Sequence, residues 1–220
     1  MKETVVFDLD GTLLSTDSIK TWLIIQFKTN FFRFLCAILI LPIGLLCLKF
    51  KKHQVFGISL FMWCATFGLT ENQLKENFYD FALKIKEHKI PHLYWFHDGL
   101  IELKNHINQN RRVVIATAAP EILVTQLFHS LEIDIEILAT PLKQTLKGWT
   151  VIPQQYCRYE EKVNRLKQLE IHAPWLATYS DHIKDDLPIL MSGQHAYLIN
   201  SKVHPIKNTQ ISELHYLYWG

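Results

Sequence analysis

Two aspartates near the N-terminus, Asp8 and Asp10, directly follow the apolar run Thr4–Phe7 and precede Gly11. The run predicts a buried strand, and the glycine predicts a tight turn after it. Because side chains alternate along a strand, both carboxylates should point to one side of its end. A carboxylate nucleophile can form an acyl phosphate, and a second carboxylate can protonate the leaving oxygen and later activate water. The pair therefore predicts phosphoryl transfer; the alternative is a strand that ends in a solvated acidic turn.

Further polar residues stand at the ends of later apolar runs. Residues 112–117, 176–180 and 196–199 read as strands, with Thr117 at the end of the first and Asp181 just after the second. Segments at 98–108, 121–131 and 160–169 have the apolar spacing of helices; a hairpin or loop is expected at 142–151. Strands that alternate with helices indicate an α/β fold with a doubly wound parallel sheet. In such sheets ligands bind beyond the carboxyl ends of the strands, where these polar residues should meet.

The segment from Phe7 to Leu13 resembles the first motif of the haloacid-dehalogenase-like hydrolase superfamily, whose core is a Rossmann-like sheet of this kind. The resemblance implies that Asp8 is the nucleophile and a Mg²⁺ ligand. It also implies that Asp10 is the general acid and base, with its backbone carbonyl on the same metal.

Two later segments resemble the second and third motifs of that superfamily. Thr117 would hold phosphoryl oxygens with its hydroxyl, helped by backbone N–H groups at a helix start. Lys162 would offset the negative charge between Asp8 and the phosphate. Lys143 and Lys147 are the alternative candidates for this cation.

The segment from Tyr179 to Leu190 resembles the fourth motif, which implies that Asp181 ligates Mg²⁺. Mg²⁺ prefers hard oxygen ligands of this type. For the supporting acid, Asp185 has the usual spacing, but Asp186 better matches the Asp-Leu-Pro context, and the sequence leaves both open. His182 replaces a frequent serine, so a hydrogen bond near the metal should differ.

The segment 17–93 does not follow the strand–helix alternation and predicts a helical insertion after the first strand. Residues 31–48 are almost continuously apolar and approach the roughly 20 residues that span a bilayer. Pro42 and Gly44 could break this stretch into a hairpin, and a shorter apolar stretch covers 55–67. A basic cluster that would suit anionic headgroups separates the two stretches: Lys49, Lys51, Lys52 and His53. The alternative is a soluble cap with a very apolar core.

Topology restricts any membrane crossing, because Asp8 precedes the insertion and Thr117 and Asp181 follow it. One active site requires all three on the same side, so the chain should cross zero times or an even number of times. The expected domains are a catalytic core of residues 1–16 and 94–220, and a cap of residues 17–93 with an apolar, membrane-associating hairpin.

Trp63–Gly68, the apolar hairpin and the Tyr-Ser-Asp motif resemble the phosphatidylglycerophosphatase C family. The resemblance implies dephosphorylation of phosphatidylglycerophosphate to phosphatidylglycerol at a bacterial inner membrane, with the catalytic domain in the cytoplasm. Two alternatives are a phosphatase of a small soluble phosphomonoester such as phosphoserine, and a lipid-binding protein without catalysis.

Charge adds little to these expectations. Lys and Arg number 23 against 21 Asp and Glu, which gives a formal net charge of +2. So small a net charge gives no reason to expect a nucleic-acid partner. The expected partners are a phosphorylated lipid or small phosphomonoester and an anionic membrane, and the sequence does not indicate an oligomeric state.

Overall fold

The computed structural model describes residues 2–201, 211 and 213–220. Its strands are Thr4–Phe7 (β1), Arg112–Pro120 (β2), Glu136–Thr140 (β3), Leu142–Thr145 (β4), Gly148–Val151 (β5), Trp175–Ser180 (β6), Gly193–Ile199 (β7) and Leu214–Leu217 (β8). Six of them form a parallel sheet in the order β3-β2-β1-β6-β7-β8, and β4 and β5 form a separate antiparallel hairpin. The expected α/β fold with a doubly wound parallel sheet is confirmed.

The helices are Ser18–Thr29 (α1), Phe31–Lys49 (α2), Gln54–Thr66 (α3), Glu71–Lys86 (α4), His97–Asn108 (α5), Glu121–Ser130 (α6), Glu160–Gln168 (α7) and Leu187–Met191 (α8). Helices α1 to α4 lie between β1 and β2, so the helical insertion follows the first strand as expected. Short 3-10 turns occur at Lys51–His53 and Pro153–Gln155.

The core forms on both faces of the central strand β1. Val5 and Phe7 pack into one hydrophobic cluster with the insertion helices, and Val6 packs into a second cluster with residues near α7 and β6. All three side chains are fully buried. A strand buried on both faces reads as a continuous apolar run, which is why β1 could be recognised from its sequence.

The long apolar helix α2 runs without interruption through Pro42, so the possible break near Pro42 and Gly44 is not observed. The chain turns back only at Phe50–His53, and α3 then packs along α2. Gly44 allows this close approach, because a Cβ there would lie 2.5 Å from the Phe61 ring. The glycine therefore serves helix packing, and α2 and α3 together form one helical hairpin.

Helix α2 is long and apolar enough to span a membrane. Only 11% of its best 18-residue window is buried within the described structure. Phe31, Phe32 and Leu39 are each more than 70% exposed. A core helix of a soluble protein would instead be mostly buried, so α2 presents a large apolar surface outward.

The β4–β5 hairpin packs on the insertion. The backbone N–H of Trp149 donates to Thr66 Oγ1 at 2.8 Å, and Trp63 Nε1–H donates to the Thr145 carbonyl at 3.0 Å. These contacts join α3 to a segment that the sequence assigned to the catalytic core. The boundaries at residues 16 and 94 stay a prediction.

Candidate active site

The two aspartates expected to meet, Asp8 and Asp181, follow adjacent strands. β1 and β6 pair in parallel, with Phe7 opposite Tyr179. The Asp8 N–H extends this pairing by donating to the Tyr179 carbonyl at 2.9 Å. Because the two strands end at one edge of the sheet, Asp8 and Asp181 face the same loop space beyond it.

Lys162 connects Asp8 to the fourth motif. Its side chain is 3% exposed, and its Nζ lies 2.7 Å from Asp8 Oδ1 and 2.7 Å from Asp186 Oδ1. Burial alone would lower the pKa of Lys162, but the carboxylates of Asp186 and Asp8 raise it above its usual value. Lys162 is therefore a fixed cation against Asp8. The alternatives, Lys143 and Lys147, lie exposed on and beside the β4–β5 hairpin.

The structure separates the two candidates for the supporting acid. Asp186 is 4% exposed; it binds Lys162 through Oδ1 and accepts the Ser180 hydroxyl through Oδ2 at 2.7 Å. The Asp185 side chain instead accepts a hydrogen bond from Arg158 Nη2 at 2.5 Å. Asp186 thus positions the active-site lysine, whereas Asp185 ties Arg158 to the fourth motif.

The two N-terminal aspartates have different surroundings. Burial raises the pKa of Asp8 to about 7 even though Lys162 lowers it. Burial also raises the pKa of Asp10 well above its usual value, and Asp10 Oδ1 accepts the backbone N–H of Ser18 at 2.9 Å, where α1 begins. A protonated Asp10 can donate a proton to a leaving oxygen, as a general acid must.

Gly11 brings the first and fourth motifs together. Its φ is +83°, and a Cβ there would lie 2.2 Å from Asp181 Oδ2. Only glycine adopts this conformation readily and also leaves room for the Asp181 carboxylate. Thr12, fully buried, places its Oγ1 3.4 Å from Asp8 Oδ2 and 3.5 Å from Asp181 Oδ1.

This arrangement fits a Mg²⁺ ion. Asp8 and Asp181 offer carboxylate oxygens that both lie within 3.5 Å of one hydroxyl, that of Thr12. Burial raises the pKa of each carboxyl, and a bound cation would favour their ionised forms. Hard oxygen donors are the ligands Mg²⁺ prefers. The ion would be held by Asp8, Asp181 and the Asp10 carbonyl. In that position it would neutralise negative charge on the phosphoryl oxygens.

Thr117 lies at the same edge of the sheet, near the end of β2, and is 1% exposed. β2 departs from regular pairing between Ala116 and Pro120. In this irregular stretch Thr117 Oγ1 accepts the Ala119 N–H at 3.2 Å. The hydroxyl therefore shapes the backbone next to the Asp8 strand, and its contact with phosphate stays a prediction.

Three residues of the site were not singled out from the sequence. Thr12 and Ser180 each lie within a recognised motif, so the motif itself was the available signal. Arg158 lies outside all four motifs, and only the fold brings it to Asp185. His182 is exposed; its backbone N–H donates to Ser180 Oγ, and its Nδ1 accepts the Asp185 N–H at 3.2 Å.

The parallel sheet, the paired aspartates at its carboxyl edge and the buried lysine form one polar site on an α/β fold. Comparison with known proteins gives the family. The model of haloacid dehalogenase-like hydrolases matches residues 5–191, and the chain belongs to this family. It is therefore a hydrolase of that family.

Solved structures share the fold at low sequence identity. A phosphoserine phosphatase with bound substrate has a TM-score of 0.58 and 12% identity, covering 98% of this chain and 93% of its own. A phospho-aspartyl intermediate analogue of phosphoserine phosphatase has a TM-score of 0.55 and 12% identity, and the match covers 91% of this chain and 88% of that one. A protein of unknown function from Bordetella pertussis Tohama I has a TM-score of 0.65 and 14% identity, covering 92% of each chain.

Proposed function

We propose that this hydrolase is a phosphatase that cleaves phosphomonoesters through an aspartyl-phosphate on Asp8 and depends on Mg²⁺. The observation that carries the proposal is Lys162, which lies 2.7 Å from Asp8 Oδ1 in a buried site. An ammonium at that distance can offset the charge that gathers as an anionic phosphate approaches an anionic nucleophile.

The chemistry takes two steps. In the first, an Asp8 oxygen bonds to phosphorus, the ester oxygen leaves, and Asp10 gives that oxygen its proton. In the second, Asp10 takes a proton from water as the water oxygen bonds to phosphorus, which releases phosphate and restores Asp8. Burial raises the pKa of Asp10, which suits it to hold a proton before the first step.

Phosphate release from a chromogenic phosphomonoester tests this mechanism. The wild-type protein should turn over with Mg²⁺, and intact-protein mass measurement after rapid quenching should show one added phosphoryl group. Asp8→Asn should lose both signals. Asp80→Asn, an exposed acid in α4, is the matched control and should keep both. Normal turnover by Asp8→Asn would overturn the proposal.

For the substrate, we infer first a small soluble phosphomonoester. The support is the similarity of the fold to phosphoserine phosphatases over nearly the whole chain. The identities of 12% support the fold and not the substrate, so phosphoserine is one member of a panel of soluble phosphomonoesters to assay.

A phosphorylated lipid is the second candidate, and the exposed apolar face of α2 favours it. The α2–α3 hairpin also reaches toward the active site. Gln54, at the start of α3, lies 3.4 Å from the Tyr159 hydroxyl, and Tyr159 is next to Arg158, which binds Asp185. A membrane that held this hairpin at its Gln54 end would therefore lie near the loop that precedes Lys162. Phosphatidylglycerophosphate and a location at a bacterial inner membrane, with the site in the cytoplasm, belong to this candidate.

One experiment separates the two candidates. Phosphate release is measured from phosphoserine, other soluble phosphomonoesters and phosphatidylglycerophosphate in mixed micelles, at equal Mg²⁺. A kcat/KM for the lipid well above every soluble compound would favour the lipid candidate. Turnover confined to a soluble compound would exclude it.

A further inference from the structure

A group of metal-binding side chains lies outside the catalytic site, on the last two strands of the sheet. It consists of His195 in β7, His215 in β8 and Glu213 just before β8. One ligand atom from each lies within 4.8 Å of the other two. His195 Nδ1 is 2.5 Å from Glu213 Oε2, and His215 Nε2 is 3.9 Å from the same oxygen.

We propose that these three side chains bind a transition-metal cation of the Zn²⁺ type. Two imidazoles and one carboxylate are a donor set that suits Zn²⁺, whereas Mg²⁺ prefers oxygen donors. Two ligands of a tetrahedral zinc lie roughly 3.4 Å apart, given bonds of about 2.0–2.2 Å. Side-chain rotations that shift the ligand atoms by roughly 1 Å would therefore bring them from their present spacing to this geometry.

The backbone holds the three side chains on one face. β7 and β8 pair in parallel, with Tyr197 opposite His215, and the Ala196 N–H donates to the Glu213 carbonyl at 2.9 Å. Residues two apart on a strand share a face, which puts His195 beside Tyr197 and Glu213 beside His215. The Tyr197 ring stacks on the His215 ring at 5.1 Å and fixes its plane.

Exposure leaves room for the ion and its water. The three side chains are 41%, 52% and 42% exposed for His195, Glu213 and His215. A fourth, open coordination position is usual where the protein supplies three ligands. The single carboxylate gives the group a negative charge when the imidazoles are neutral, so it attracts a cation.

The group is distinct from the catalytic site. His195 pairs with Ala177, four residues before Asp181. At about 3.3 Å per residue, this places it roughly 13 Å back along the sheet from the catalytic edge. A metal there would join β7 to the edge strand β8. After β8, Trp219 stacks on Tyr179 of the core, so the ion would help to hold residues 213–219 on the sheet.

Zinc binding to the metal-stripped, full-length protein tests the proposal without reference to activity. Excess Mg²⁺ is present throughout, and binding is followed by calorimetry. The wild type should bind one Zn²⁺ at this group. The affinity of His195→Asn/His215→Asn for that ion should be about a hundredfold or more weaker. The double variant His129→Asn/His172→Asn changes two exposed histidines elsewhere and should bind as the wild type does.

Two further measurements make the outcome decisive. Zn²⁺ should raise the melting temperature of the wild type and of the control, but not of His195→Asn/His215→Asn. Glu213→Gln should also weaken binding, although its amide can still accept a hydrogen bond from His195. No uptake by the wild type would overturn the proposal. Equal uptake by His195→Asn/His215→Asn would also overturn it, since the zinc would then lie elsewhere, for example on cysteine thiols or catalytic carboxylates.

Discussion

Adjacent aspartates in the fourth motif, Asp185 and Asp186, should respond very differently to the same substitution. Asp186→Asn removes the second negative charge, besides Asp8, that binds Lys162. Asp185→Asn removes a charge that binds Arg158 and lies 3.8 Å from His182 Nδ1, and neither contact involves Lys162. Both changes conserve side-chain shape, so the pair isolates the role of each charge.

The structure gives the expected magnitudes. Asp186 makes two hydrogen bonds of 2.7 Å, to Lys162 and Ser180, and is 4% exposed. Bonds to a charged group are worth about 1 kcal/mol more than neutral ones, so Asp186→Asn should cost about 2 kcal/mol of stability. The Asp185–Arg158 pair is partly exposed and should be worth under about 1 kcal/mol.

Activity should separate the variants more strongly than stability. Loss of one preorganised charge contact to the reacting phosphoryl group typically lowers kcat by about 10²–10³. We expect that loss for Asp186→Asn, because Lys162 would then lose the second carboxylate that holds it against Asp8. Asp185→Asn should lose less than about tenfold, as its carboxylate does not touch Lys162.

The measurements are steady-state phosphate release at saturating Mg²⁺ and urea denaturation of both variants. Denaturation shows whether each protein is folded under assay conditions. If Asp185→Asn lost as much kcat as Asp186→Asn while remaining folded, the assignment of Asp186 as the supporting acid would be wrong. A normal kcat in Asp186→Asn would mean that Lys162 needs no second carboxylate.

Four further changes test other parts of the site and the insertion. Asp8→Asn should abolish phosphate release yet keep its thermal unfolding near that of the wild type, because the amide preserves shape; residual turnover near wild type would contradict the covalent route. Asp181→Ala should raise the Mg²⁺ concentration for half-maximal activity by more than about tenfold, since even outer partners of metal ligands change affinity that much; an unchanged midpoint in a Mg²⁺ titration would mean that Asp181 is not a ligand. Gly11→Ala should lower both the melting temperature and kcat. A φ of +83° costs an L-residue roughly 1–2 kcal/mol, and the new Cβ would clash with Asp181 Oδ2. A fully active, equally stable variant would refute this. Leu39→Asp/Ile43→Asp should reduce co-sedimentation with anionic vesicles at every salt concentration while activity on a soluble phosphomonoester is kept; a wild-type protein that stays in the supernatant would refute the membrane role of α2.

The fold could be predicted where burial leaves a strong pattern. β1 and β6 lie in the middle of the sheet, so their sequences are apolar runs that end in aspartate. Edge strands lack this signal. β3 begins with Glu136, which pairs with Arg112 at 2.7 Å, and β8 is a four-residue strand with a half-exposed histidine. Neither strand was predicted, because pairing to a neighbour rather than burial defines each of them.

The candidate site could be predicted as far as its motifs reach. Asp8 and Asp181 were placed by their positions at strand ends and Lys162 by its resemblance to the third motif, and the structure brings Lys162 to Asp8. The choice between Asp185 and Asp186 could not be made from spacing. It depends on how the loop after β6 turns, which decides which carboxylate faces inward.

The helical insertion takes part in the active site itself. Ser18, the first residue of α1, donates its N–H to Asp10, the proposed general acid. The insertion also contacts the segment before α7, where Gln54 meets Tyr159, next to the Arg158–Asp185 pair. A shift of α1 would therefore move the hydrogen bond to Asp10. A shift of the α2–α3 hairpin would act on the loop before Lys162. A surface or substrate that the apolar hairpin binds would thus act first on the loop before Lys162, the cation beside the nucleophile. For this reason kcat on a soluble phosphomonoester, measured with and without anionic vesicles, tests whether the insertion acts on the site.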